Sequence, residues 1–190
     1  MRLYYKFIII FSISIFLSHQ IWAKEIWILD KNISTIKFEL PVLLMNNVEG
    51  KLLNFEGLVE IDLEDYKNNK AIFSANLDTI EMNYPKYKNL LLGDIFFDVI
   101  KFPIALVDTK KFSFNAEKEI NLEVELTIKG ITKLVPLKLE IYLLADELIQ
   151  IKGHLIFSRT AFNLGVGRWS STAILRDKAS IETNLFLFKE

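Results

Sequence analysis

Few side chains in this sequence could carry chemistry, and their spacing excludes more than it suggests. There is no cysteine and there are two histidines. Thiol nucleophiles, disulfides and thiolate metal sites are therefore absent. His154 lies in IQIKGHLIF, in phase with Gln150 and Lys152 and opposite Ile149, Ile151 and Leu155. That spacing makes it a solvent-facing strand residue rather than the base of a nucleophile–histidine pair. Two carboxylates alone can hydrolyse a glycoside, and Glu60/Asp62 and Asp94/Asp98 are such pairs. Each is explained as well by a solvated face. Their spacing is not that of a calcium loop. LGVGRW, residues 164–169, lacks the full spacing and the terminal Lys-Ser/Thr pair of a phosphate loop. These residues imply no enzyme, no cofactor and no metal. One cation is out of place: in LTIKGITKLVPL, residues 126–137, Lys133 falls on an apolar face.

The elements that position these residues read as strands. TIKFEL (35–40), LVEIDL (58–63), NLEVELTI (121–128), LKLEIYL (137–143) and IQIKGHLIF (149–157) alternate apolar and polar residues. Residues 179–188 form a last, less regular run. Polar breaks at Asn46-Asn47, residues 67–69, 115–119 and 145–147 separate them, and Asn and Asp suit tight turns. Period-two runs at this spacing predict an antiparallel sandwich or barrel. Folding the chain at Lys129-Gly130 pairs Ile128 with Ile131, Leu126 with Lys133, Val124 with Val135 and Leu122 with Leu137, and glycine supplies the positive φ. YPKYKNLLLGDIFFDVI, residues 84–100, has no period of two. It reads as a helical or looped insertion across one end of the sheet, with Pro85 opening it. Residues 163–171 are a second irregular element.

The chain has 190 residues. Arg2 and Lys6 precede FIIIFSISIFL at 7–17, and Ala23 follows. A basic start, a short apolar run and a small residue describe a secretory signal peptide, residues 1–23, with an apolar run short of a membrane span. Residues 24–190 are then one domain with enough chain for a core. Without Arg2 and Lys6, the 23 basic residues become 21 against 24 acidic ones. No basic stripe marks a nucleic-acid binder.

Alternation leaves the barrel's orientation open. Apolar-in describes a ligand carrier in water, and apolar-out describes an outer-membrane barrel. Long charged residues on the polar face, dispersed aromatics and the ending Phe188-Lys189-Glu190 favour the first.

The order of motifs resembles the YceI-like family of secreted polyisoprenoid-binding proteins. Trp27-Ile28-Leu29-Asp30, Ser34 and Ile36-Lys37-Phe38 are similar to its opening. Val48-Glu49-Gly50 and Phe55-Glu56-Gly57 look like its glycine-phenylalanine motifs. Phe96-Phe97-Asp98 with Lys101-Phe102-Pro103, the hairpin at 126–135, and Phe157-Ser158-Arg159 with Phe162 and Gly165-Val166-Gly167 follow in the family's order. Three places depart. Tyr87-Lys88-Asn89-Leu90-Leu91 stands where the family often has Arg-Asp-x-His-Leu. The first glycine motif reads Val-Glu-Gly-Lys-Leu. Ala179 replaces a common valine.

The resemblance implies an all-β, lipocalin-like antiparallel barrel of about eight strands with a short helical insertion. It implies a periplasmic carrier of a long isoprenoid or related lipid (polyprenyl phosphate, quinone, fatty acid or amide). The alternative is a secreted barrel with a filled core, acting as a protein-interaction or stress-response module. The lipid-contacting set expected on this basis is Phe38, Leu40, Phe55, Leu126, Phe157, Phe162 and Trp169, with Leu91, Phe96 and Phe97 lining or capping one end. Lys133 either reaches water at the rim or, with Arg159, meets a head group at the tunnel mouth. Partners are expected to include neither nucleic acid nor a stable membrane span after cleavage, and homodimerisation is left open.

Overall fold

A computed structural model describes residues 24–44, 46–61, 67–113 and 119–190. The signal-peptide segment lies outside the described residues. Eleven strands form one antiparallel sheet: β1 (Glu25–Leu29), β2 (Thr35–Leu40), β3 (Val48–Leu52), β4 (Phe55–Ile61), β5 (Lys70–Asn76), β6 (Ile80–Met82), β7 (Ile104–Asp108), β8 (Glu119–Ile128), β9 (Ile131–Ala145), β10 (Leu148–Ser158) and β11 (Lys178–Lys189). Three of the barrel's staves are broken strands. β1 and β2 both run along β11, against residues 187–189 and 180–184. β4 then pairs with β1, and β3 with β2. β5 pairs with β4, and β6 with β3. The sheet is thus an up-and-down meander of eight staves, closed by β1 and β2 on β11.

The alternation follows the closure. Inward residues are Trp27, Ile36, Phe55, Val59, Ala71, Val124, Leu126, Val135, Ile151, Leu155 and Leu187, all buried. Outside, Lys138 bonds Glu119 at 2.8 Å and Lys51 bonds Glu81 at 3.0 Å. His154 is exposed and sits between Lys138 and Glu182 on the neighbouring strands. The barrel is therefore apolar-in, with charge on its outer wall. Among the described residues, no helix is long and apolar enough to cross a membrane.

Two glycines make room for aromatic rings. Gly57 faces Phe73 across β4–β5, and Gly50 faces Phe38 across β2–β3. In each pair, a Cβ on the glycine would overlap the ring. The β8–β9 hairpin has the expected register throughout, and Lys129 (φ 52°) and Gly130 (φ 72°) both take positive φ. That is the turn whose twist matches a two-residue hairpin.

One end of the barrel holds the irregular segments. Pro85–Tyr87 forms a 3-10 turn that leads into α1 (Lys88–Leu92), capped by Gly93. Residues 159–177 contain two further 3-10 turns, Thr160–Phe162 and Gly167–Trp169. The Lys129 Nζ donates to the Asp94 carbonyl at 2.6 Å and to the Asn163 carbonyl at 3.2 Å. The hairpin tip thereby ties both segments together.

Gly57→Ala is expected to destabilise the fold by about 1–3 kcal/mol through overpacking, measured as a lower Tm by circular dichroism. Adding Phe73→Leu should recover part of the loss.

Candidate functional site

The inward face does not fill the barrel. A cavity of about 170 Å³ occupies the end under the irregular segments. Its wall is almost wholly hydrocarbon. Ile36, Phe38, Leu40, Val48, Leu126, Ile128, Leu155 and Phe157 come from the strands, Leu91, Phe96 and Phe97 from the insertion, and Leu164 from the late loop. A void lined this way stays dry and favours apolar guests. A second cavity of about 40 Å³ lies towards the other end, and Phe73, Val107, Leu137 and Leu139 line both. Phe73, whose ring covers Gly57, therefore stands in the partition between them.

Seven of the ten residues expected to contact lipid line the larger cavity: Phe38, Leu40, Leu91, Phe96, Phe97, Leu126 and Phe157. The other three are not part of that lining. Phe55 is buried in the neighbouring core cluster, opposite Ala75 of β5. Phe162 is buried edge-on against Phe157, with ring centres 5.5 Å apart. Trp169 packs edge-on against Phe96 at 6.0 Å, and its Nε1 is buried without an acceptor. Sequence alternation did not single out Ala105, Val107, Ala179 or Gly153, which also line the cavity. Small residues on these strands leave the space that larger ones would take, and the absence of bulk is a weak signal in a sequence.

The two cations part company. Lys133 is exposed and forms no part of the cavity wall. Arg159 is 1% exposed and lines the cavity. Its Nε donates to the Arg176 carbonyl at 3.0 Å and Nη1 to the Leu164 carbonyl at 2.8 Å. Its Nη2 donates to Ser171 and Leu175 carbonyls at 3.0 and 2.9 Å. Four of five N–H groups are thus committed to backbone, and the remaining one is on Nη1. A Cβ at Gly165 would lie 2.7 Å from Nη1 and 3.1 Å from Phe96 Cε1. Glycine there keeps the guanidinium and the cavity wall in contact. Burial lowers the Arg159 pKa, and the Asp177 carboxylate opposes that shift. Burial of Asp177 pushes its own pKa up, but hydrogen bonds from Thr160 and Ser158 outweigh this and hold it below the usual value of 3.8. Among the described residues, no group of three or more acidic or imidazole side chains could hold a metal.

An eight-stave up-and-down barrel closed around an apolar void is a lipocalin-like barrel. The sequence profile of the YceI-like domain matches residues 27–187, and the chain belongs to that family. The fold is similar to that of Burkholderia cenocepacia BcnA, with a TM-score of 0.76 at 22% identity, covering 83% of this chain and 98% of that one. A polyisoprenoid binding domain from Saccharophagus degradans, implicated in plant cell wall breakdown, gives 0.67 at 13% identity, covering 86% and 98%. The Campylobacter jejuni YCEI protein gives 0.67 at 21% identity, covering 79% and 90%. At these identities the likeness shows the fold alone. No curated protein matches the chain.

Replacing Arg159 by Met is expected to strand four carbonyls, those of Leu164 and Leu175 fully buried, and cost about 3 kcal/mol or more, seen as a lower urea midpoint and lost amide protection across residues 164–175. Asp177 has a depressed pKa, so its contribution is complete at neutral pH and disappears as the pH falls below 3.8. Asp177→Asn should therefore be less stable than the wild type at neutral pH and match it in strong acid, measured by urea unfolding at both.

Proposed function

We propose that the chain is a periplasmic carrier that holds a long-chain isoprenoid or related lipid inside the barrel. The observation that carries this reading is the hydrocarbon-lined cavity under the irregular end. Each methylene group buried there is worth about 0.8 kcal/mol, while association and ordering subtract several kcal/mol. Tight binding therefore favours a long chain over a short one. β10 has 11 residues. At about 3.3 Å per residue and a tilt near 40°, it spans roughly 28 Å of barrel height. A chain reaching from the larger cavity into the smaller one displaces the Phe73 ring between them. The polyisoprenoid-binding description of the Saccharophagus domain supports the ligand class.

The head group is placed at Arg159, whose uncommitted N–H would meet a phosphate or carbonyl oxygen at the cavity wall. Lys133 would meet only a head group that projects beyond the lining. Secretion through residues 1–23, removed as a signal peptide, would place the mature domain, 24–190, in the periplasm. Membership of the YceI-like family supports a binding protein over an enzyme.

Extraction of the natively purified protein followed by mass spectrometry should yield a chain-like lipid. Narrowing the cavity with Ala105→Leu should reduce uptake of added polyprenol about tenfold or more without lowering the Tm. A protein that comes out clean and takes up no isoprenoid would overturn the carrier reading in favour of an interaction module.

A further inference from the structure

The cavity end of the barrel carries an apolar tip that no core explains. Leu44 is 94% exposed, Ile174 65% and Leu43 40%. They are neighbours: the Leu43 N–H donates to the Ile174 carbonyl at 2.8 Å, Val42 bridges Leu175, and the Arg176 N–H donates to the Pro41 carbonyl. Leu44 also takes φ 60°, a left-handed conformation that disfavours a bulky side chain. The loop therefore holds a leucine out in solvent at some conformational expense.

The surroundings of this tip are basic. Residues 41–47, 83–92 and 164–176 contain no Asp or Glu, although the chain has 24. They contain Lys86, Lys88, Arg168 and Arg176. Tyr84 donates to the Asn46 carbonyl at 3.3 Å, Tyr87 is partly exposed beside it, and the Lys86 ammonium sits 5.0 Å from the Tyr87 ring. Acids border these segments at Glu39, Glu49, Asp94, Asp98 and Asp177. Of these, Asp98 pairs with Lys101, Glu39 accepts from Asn47 and Asp177 accepts from Thr160. Exposed leucines, tyrosines and cations on segments of one end match the layers of an anionic bilayer: hydrocarbon, interface and charged head groups.

The same end approaches the cavity. Leu40 and Val48 flank the 41–47 loop and line the void, as do Leu91 beside Lys88 and Leu164 in the late loop. We infer that this end is a membrane-docking surface: Leu43, Leu44 and Ile174 insert among the acyl chains of an anionic bilayer while Lys86, Arg168 and Arg176 contact lipid phosphates. This docking stands independently of what fills the cavity.

The test is sedimentation of residues 24–190, which contain every described strand of the barrel, with vesicles. Residues 7–17 are omitted because so apolar a run would partition by itself. The domain should bind phosphatidylglycerol-containing vesicles, bind pure phosphatidylcholine vesicles more weakly, and release at ~1 M salt, where screening acts over about 3 Å. Leu44→Asp should weaken binding roughly tenfold or more. Aspartate accepts positive φ more readily than leucine, so the variant should keep the wild-type Tm and loss of fold will not explain loss of binding. Arg168→Glu with Arg176→Glu should also weaken it roughly tenfold. The proposal fails if the wild type ignores anionic vesicles, or if both variants sediment as the wild type does. It also fails if the wild type is a dimer that Leu44→Asp makes monomeric, since a second copy would then cover the tip.

Discussion

A guanidinium without a bonded carboxylate is among the hardest groups to bury, and Arg159 is buried inside a shell of backbone oxygen. Its bonds reach the carbonyls of Leu164, Ser171, Leu175 and Arg176, so one side chain fixes four points of a loop with little regular structure. That loop is the roof of the cavity. Leu164 enters the wall from it, Trp169 braces Phe96 from it, and residues 174–176 pair with the β2–β3 turn through it. Satisfied carbonyls make the arrangement rigid, and a missing donor would leave several of them orphaned at once.

The rest of the void follows from how the staves are broken. β5 gives way to β6 through the turn Leu77–Thr79, and beyond it β6 pairs only with β3. The insertion from 83 to 103 fills the gap that an unbroken pairing of β6 with β7 would have closed. A continuous eight-stave barrel of this circumference would be filled by its own side chains. Here the end under the irregular segments carries the larger void, and the other end, with Trp27, Ile61, Ile149 and Leu187, leaves only the smaller one.

Much of this was legible in the sequence where one face is charged and the other apolar. β2 has the expected bounds, and the β8–β9 register follows from the Lys129-Gly130 turn. β5 and β7 went unread because their outward positions are apolar too: Ile72, Ile104 and Leu106 erase the alternation. The insertion and the late loop were visible as losses of period, but their contacts were not. Alternation assigned Lys133 to the inward face correctly in parity, opposite Leu126, yet β9 pairs with β10 only from Leu137 onward, and on the stretch nearer the turn the Lys133 side chain is exposed. Arg159 carried the opposite error of scale. A residue type suggests a charge at a rim, whereas its burial depends on carbonyl oxygens of a loop whose path no side-chain pattern encodes.

The closure of the sheet has a consequence for how the chain acquires its shape. Every other pairing in the meander joins staves that are consecutive in sequence, but the seam joins β1 and β2, the first stave, to β11, the last, and Lys189 bonds Glu25 across 164 positions. Loop-closure entropy makes such a contact slow to form. The seven nearer pairings can assemble first as an open, curling sheet, with the seam as the final event. Until then the inward face has no inside, so a long apolar guest could be wrapped by the sheet instead of threaded through an end.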